Sequence, residues 1–224
     1  MIPYKDDNPT SSFPFVTLSL IAINIIIFLW EITSPSGMQQ ITYMYGAVPH
    51  HIVTLETRQV IHPALTVFTS MFLHGGMFHL AGNMLYLWIF GNNIEDRLGH
   101  FRFIIFYLFC GTIAAYAHAI TNSKSMIPMI GASGAVSGIL GAYLLLFPRA
   151  GIYTILFLGF FITTVKIPAL IVIGFWAIIQ FINGLISTRV SEVGGVAWFA
   201  HLGGFLTGLG TIKLWLPRRK RLWS

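Results

Sequence analysis

The sequence predicts an all-α polytopic membrane protein folded as a single bundle. Three observations predict it. Of 224 residues, 55% are hydrophobic and 9% charged, against ~25% charged in an ordinary soluble domain. The mean hydropathy is +0.76. The apolar residues collect in six runs, at 13–32, 77–94, 101–120, 132–147, 167–186 and 197–216. A crossing takes ~20 apolar residues. The second and fourth runs are short for one, which suits a bundle enclosing a water-filled cavity.

Residues 1–12 form a short polar tail with Lys5, Asp6 and Asp7. No cleavable signal is apparent, because the first apolar run is long enough to span. The segment 33–76 between the first two runs is long for a compact protein, which usually signals function. It carries Tyr43, Tyr45, Val48, Ile52, Val53, Leu55 and Val60, enough to rest partly in the interface, and is punctuated by Pro35, Gly37, Pro49 and Pro63. Residues 151–165 are apolar and rich in β-branched and aromatic side chains, with Gly159 and Lys166 interrupting or ending the stretch. They read as a strand-like interfacial connector, with a seventh span as the lesser alternative. Residues 13–216 are the expected membrane core and 217–224 a basic tail. The lone Cys110 permits no intrachain disulfide and no thiol-rich metal site.

Six spans put both termini on one side, and positive charge chooses the side. With cytoplasmic termini, the inside holds Lys5, Arg97, Arg102, Arg149, Lys166, Lys213, Arg218, Arg219, Lys220 and Arg221, and the outside only Arg58, Lys124 and Arg189. The formal charge of +6 is thus a topology anchor and not a nucleic-acid signal. The beginnings of the second, fourth and sixth spans then lie toward the outer side.

Chemistry concentrates at those beginnings. The fourth run opens with Gly131-Ala132-Ser133-Gly134. Gly134, Gly138 and Ala142 lie four apart, a small-residue face for close helix packing. A serine hydroxyl needs a base to become a nucleophile. Ala200-His201-Leu202-Gly203-Gly204, near the start of the sixth run, offers one on a similar row of Ala200, Gly204 and Gly208. Each motif alone reads as packing; the pair reads as a Ser133–His201 dyad. At the second run, His79 and Asn83 lie four apart on one helix face. They suit donors to a developing oxyanion, together with the Ser133 backbone N–H, although a satisfied polar pair between helices is the simpler reading of that pair alone. A zinc site at His74 and His79 is disfavoured: no His-Glu-x-x-His occurs, and no carboxylate is expected near them. No acidic residue is placed to orient His201, so the dyad is a reduced form of triad logic.

These pieces, in this order, resemble the rhomboid family of intramembrane serine proteases. The matching residues are His74-Gly75-Gly76-Met77-Phe78-His79-Leu80-Ala81-Gly82-Asn83, Gly131-Ala132-Ser133-Gly134 and Ala200-His201-Leu202-Gly203-Gly204, with Glu95-Asp96-Arg97-Leu98-Gly99 fitting the family's loop pattern. The resemblance implies a six-helix rhomboid-like bundle with a long first loop. It implies Ser133 as nucleophile, His201 as general base, and His79 with Asn83 at the oxyanion hole. It further implies a mobile cap around 187–196, single-span membrane proteins as substrates, a lipid environment, and no cofactor, metal or nucleic acid. The expected setting is a bacterial-type plasma (inner) membrane. Two departures stand out. Leu65-Thr66 replaces a common Trp-Arg in the first loop. Ser137 stands where some members carry an aromatic that stacks on the histidine, so His201 must be held another way.

Overall fold

A computed structural model describes residues 2–56, 59–159, 161–187 and 196–217. Arg58, Arg189 and the basic cluster at 218–221 lie outside the described residues, as does nearly all of the expected cap.

The chain begins with β1 (Ile2–Asp6) and enters α1 (Phe15–Thr33). The first N–H groups of a helix have no partner within it. Here α1 has no side-chain cap of its own and no acid in its first turn. Glu95, fully buried, supplies the acceptor: its carboxylate takes the N–H groups of Val16 and Thr17, each at 2.8 Å, and the Thr17 hydroxyl at 2.6 Å. Asp96 takes the N–H groups of Ser11 and Ser12. The acidic pair thus clamps the entry to α1, with charge-assisted hydrogen bonds.

The long first loop is built of short helices: α2 (Gly37–Tyr45), α3 (Pro49–Thr54) and α4 (Pro63–Thr69), followed by a tight 3-10 turn at Ser70–Phe72. Then come α5 (Met77–Tyr86), one π turn at Leu87–Gly91, and α6 (Asn92–Leu98). Gly99, at φ +78°, turns the chain into α7 (His100–Thr121). The sequence continues with α8 (Ser133–Leu146), α9 (Ala169–Ser187) and α10 (Trp198–Trp215).

Helices therefore occupy all six apolar runs. By length and apolarity alone, three described helices can cross a membrane: α1, α7 and α9. Pro63–Phe72 and Met77–Leu98, bent by 84° between them, make a fourth if taken as one broken span. The core gathers where α7, α8 and α10 converge, with Phe103, Phe106, Tyr107, Ile139, Leu140 and Tyr143 fully buried.

One feature departs from an all-α reading. The described residues of 151–165 fall in two paired strands, β2 (Gly151–Leu158) and β3 (Phe161–Pro168), and Gly159 after β2; β1 adds to the edge in the order β1-β2-β3, antiparallel throughout. The β-branched composition of the connector favours strand, and Gly159 at φ +63° permits the tight return. The N-terminal residues expected as a short polar tail have backbone partners there, Ile2 opposite Ile155.

Candidate active site

Helix α8 and helix α10 approach as closely as backbones allow. A Cβ on Gly204 would run into the carbonyl oxygen of Gly134, and one on Gly208 into that of Gly138. The two small-residue rows thus face each other. Gly141, which is not in the expected row, completes the seam against the Phe205 carbonyl. A glycine seam of this kind is how helices pack closely in lipid.

At the top of the seam, Ser133 Oγ and His201 Nε2 lie 2.8 Å apart. Ser133 is the first residue of α8; His201 is one turn into α10. On its other side, His201 Nδ1 lies 2.7 Å from the Gln180 Oε1 of α9. An amide oxygen only accepts. Nδ1 therefore carries the proton, Nε2 presents its lone pair, and the Ser133 hydroxyl donates to it. Trp176 and Trp198 flank the imidazole, with ring centroids at 6.2 and 6.1 Å. At the position where an aromatic was missing, Ser137 instead donates its hydroxyl to the Ser133 carbonyl at 2.6 Å.

The approach to Ser133 is held by the first loop. Ala47 and Met129 exchange both backbone hydrogen bonds, His50 N–H donates to Ser125 C=O, and Gly131 N–H donates to Ser70 C=O at 2.8 Å. Gly131 adopts φ +122°. A Cβ there would lie 2.7 Å from His79 Nε2 and 3.6 Å from Ser133 Oγ, so histidine and serine flank the same glycine. The Gly75 N–H donates to His79 Nδ1 at 3.3 Å. That leaves the proton of a neutral His79 on Nε2, the atom facing Gly131. His79 and His201 are thus held in opposite tautomers, one presenting N–H and the other a lone pair.

Asn83 is buried, and its Nδ2 has no hydrogen-bond partner among the described residues. A buried donor without an acceptor is costly. Asn83 lines a cavity of about 440 Å³ together with His79, Ser133, Ser137, Trp176 and His201. Ser133, which begins α8 without a side-chain cap, lines the same cavity. The four residues singled out in the sequence therefore surround one space.

The profile of the rhomboid domain matches residues 62–218. The chain belongs to the rhomboid family. Among relatives, this rhomboid is 34% identical over 154 residues to RHOMBOID-like protein 6, mitochondrial, of Arabidopsis thaliana, covering 68% of this chain and 44% of that one. It is 31% identical over 142 residues to Rhomboid protease GluP of Bacillus subtilis, covering 63% and 25%. With the human presenilin-associated rhomboid-like protein, mitochondrial, identity is 29% over 201 residues, covering 85% and 45%. The chain spans a quarter to a half of the length of these relatives.

Sequence reasoning missed two residues. Gln180 is legible as a polar side chain inside an apolar run, a functional signal in a membrane, but as a neutral amide it is not among the acidic residues from which a triad draws its third member. Glu31 corrects the expectation that no carboxylate lies near His74. It is fully buried in α1 and accepts the His74 N–H at 3.1 Å, across 43 residues of chain. Its reach depends on how α1 packs, which no spacing reveals. No three His, Cys, Asp or Glu side chains converge as a metal site among the described residues.

Proposed function

We propose that this rhomboid is an intramembrane serine endopeptidase that cleaves single-span membrane proteins in or beside their transmembrane segments. The observation that carries the reading is the 2.8 Å Ser133–His201 contact at the wall of a cavity lined by both apolar and polar side chains. In this reading Ser133 Oγ attacks the scissile carbonyl carbon while its proton passes to His201 Nε2. The negative oxygen that develops is met by His79 Nε2–H, Asn83 Nδ2–H and the Ser133 backbone N–H. The tetrahedral species collapses, the C–N bond breaks, and His201 returns the proton to the leaving amine. Water, deprotonated by His201, then releases the acyl group from Ser133. The dyad uses no cofactor.

The reading takes all six apolar helices as spans, with termini on the cytoplasmic side, the site toward the outer side, and lipid around the bundle. A bacterial-type plasma membrane is the proposed setting; by their names, the relatives include mitochondrial proteins as well as one from Bacillus. A substrate helix has its carbonyls hydrogen-bonded, so it must unwind locally before attack, and helix-weakening residues near the cut should favour cleavage. A non-catalytic relative that only binds transmembrane segments has no use for an aligned serine–histidine pair.

The test is cleavage of a model transmembrane substrate by purified protein in detergent. Ser133→Ala and His201→Ala should each abolish it while leaving insertion intact. Groups that act as one unit are non-additive, so the double variant should be no worse than either single. A fluorophosphonate should label wild type and not Ser133→Ala. Retained cleavage by Ser133→Ala would sink the proposal.

A further inference from the structure

We infer that Gln180 is the positioning residue of the general base, a neutral third member that completes the Ser133–His201 pair. The inference rests on the serine-protease reading and adds a residue that the dyad does not contain. Gln180 is buried on α9, with its Oε1 2.7 Å from His201 Nδ1, while His201 Nε2 faces Ser133 at 2.8 Å. The three side chains form one relay of hydrogen bonds across α9, α10 and α8.

The chemistry of the amide explains what the contact does. A neutral imidazole has two tautomers, and only the one protonated on Nδ1 can take a proton on Nε2. The Gln180 carbonyl selects that tautomer and fixes the plane of the ring. When His201 accepts the serine proton, both ring nitrogens become donors, and Gln180 Oε1 still accepts from Nδ1. A carboxylate would do the same with more electrostatic force. It would also be a buried charge in an apolar span, which is costly to keep. Glutamine gives the geometry without the charge. It also answers how His201 is held in a chain with Ser137 where an aromatic ring would stack.

Two variants and a pH profile test this. Gln180→Met keeps the length and apolar stem and removes the acceptor. Its kcat should fall about 10- to 100-fold, in line with misplacement of a catalytic group by ~1 Å, with KM within about twofold of wild type. Gln180→Glu restores the acceptor and should recover kcat to within about tenfold of wild type. It should also move the acid limb of kcat/KM to higher pH, because a carboxylate beside the imidazole favours its protonated form. The other titratable groups acting on His201 are His79 from α5 and His118 from α7. Both are common to all three proteins, so their titration cancels in the comparison. Wild-type kcat in Gln180→Met would overturn the inference. So would equal losses in Gln180→Met and Gln180→Glu with an unmoved acid limb, the pattern of a side chain that merely packs. The underlying reading fails separately, if wild type neither cleaves substrate nor reacts with a fluorophosphonate at Ser133.

Discussion

Asn83 holds a buried amide nitrogen without a partner among the described residues, on a side chain that lines the same cavity as Ser133. A donor kept in that state is stabilised only when an acceptor arrives, which is the behaviour wanted of an oxyanion donor. Asn83→Ala should therefore lower kcat by ~100-fold or less, since His79 and the backbone donor remain. Complete loss of turnover in well-folded protein would assign Asn83 a different primary role. At this scale residue type and four-residue spacing pick out four side chains that line one cavity. They do not reveal the tautomers. Those depend on what each Nδ1 meets: a backbone N–H from Gly75 at His79, an amide oxygen 21 residues away at His201. Spacing along a helix states which face a side chain leaves from, and nothing about the neighbour it finds.

The α8–α10 seam is where two elements make the dyad possible. The small-residue rows were legible as packing faces, and the structure sets them against each other with backbone, not side chains, as the partner. That detail sharpens the expectation for Gly204. A flexible side chain could give way, but the Gly134 carbonyl belongs to α8 itself. Gly204→Val forces the helices apart just below His201. Overpacking typically costs ~1–3 kcal/mol, and a displacement of ~1 Å at the catalytic groups costs on the order of 100-fold in rate. The expected result is a lower melting temperature together with a kcat loss that exceeds any rise in KM. Turnover and melting measured in the same detergent would check it, and near-normal turnover would show that this seam does not set the dyad. The paired strands β2 and β3 are the contrary case. Their strand-like composition was legible within residues 151–165, whereas their pairing with β1 was not. Ile2 meets Ile155 across 153 residues of chain, and five residues without a regular alternation carry no address.

Across the whole molecule the two ends of α8 have separate tasks. Ser133 begins the helix, and Tyr143, ten residues on and so ~15 Å along the axis, anchors the sheet. The Tyr143 hydroxyl donates to Asp6 Oδ2 at 2.7 Å, and Asn93 Nδ2 donates to the same oxygen at 2.8 Å. Neighbouring acids there are pushed in opposite directions. Asp7, exposed and hydrogen-bonded by Lys166, is held below the usual carboxylate value of 3.8. Asp6 is raised above it: burial is the largest cause and outweighs the Tyr143 hydrogen bond. A carboxyl raised in the folded state weakens the fold at pH above its folded value, and that penalty disappears as pH falls toward the unfolded value. Asp6→Asn removes the titration and keeps an oxygen for Tyr143. The difference in melting temperature, variant minus wild type, should therefore move in the variant's favour as pH rises from about 4 to about 8, by ~2–4 °C per kcal/mol for a chain of this size. A difference that does not change with pH would show that Asp6 is as easily ionised folded as unfolded. Cleavage should be unaffected, because the substitution lies at the opposite end of α8 from the dyad and leaves the glycine seam intact. A change in kcat with no change in melting would mean that the sheet end and the site are coupled through α8 and that the two tasks are not separate.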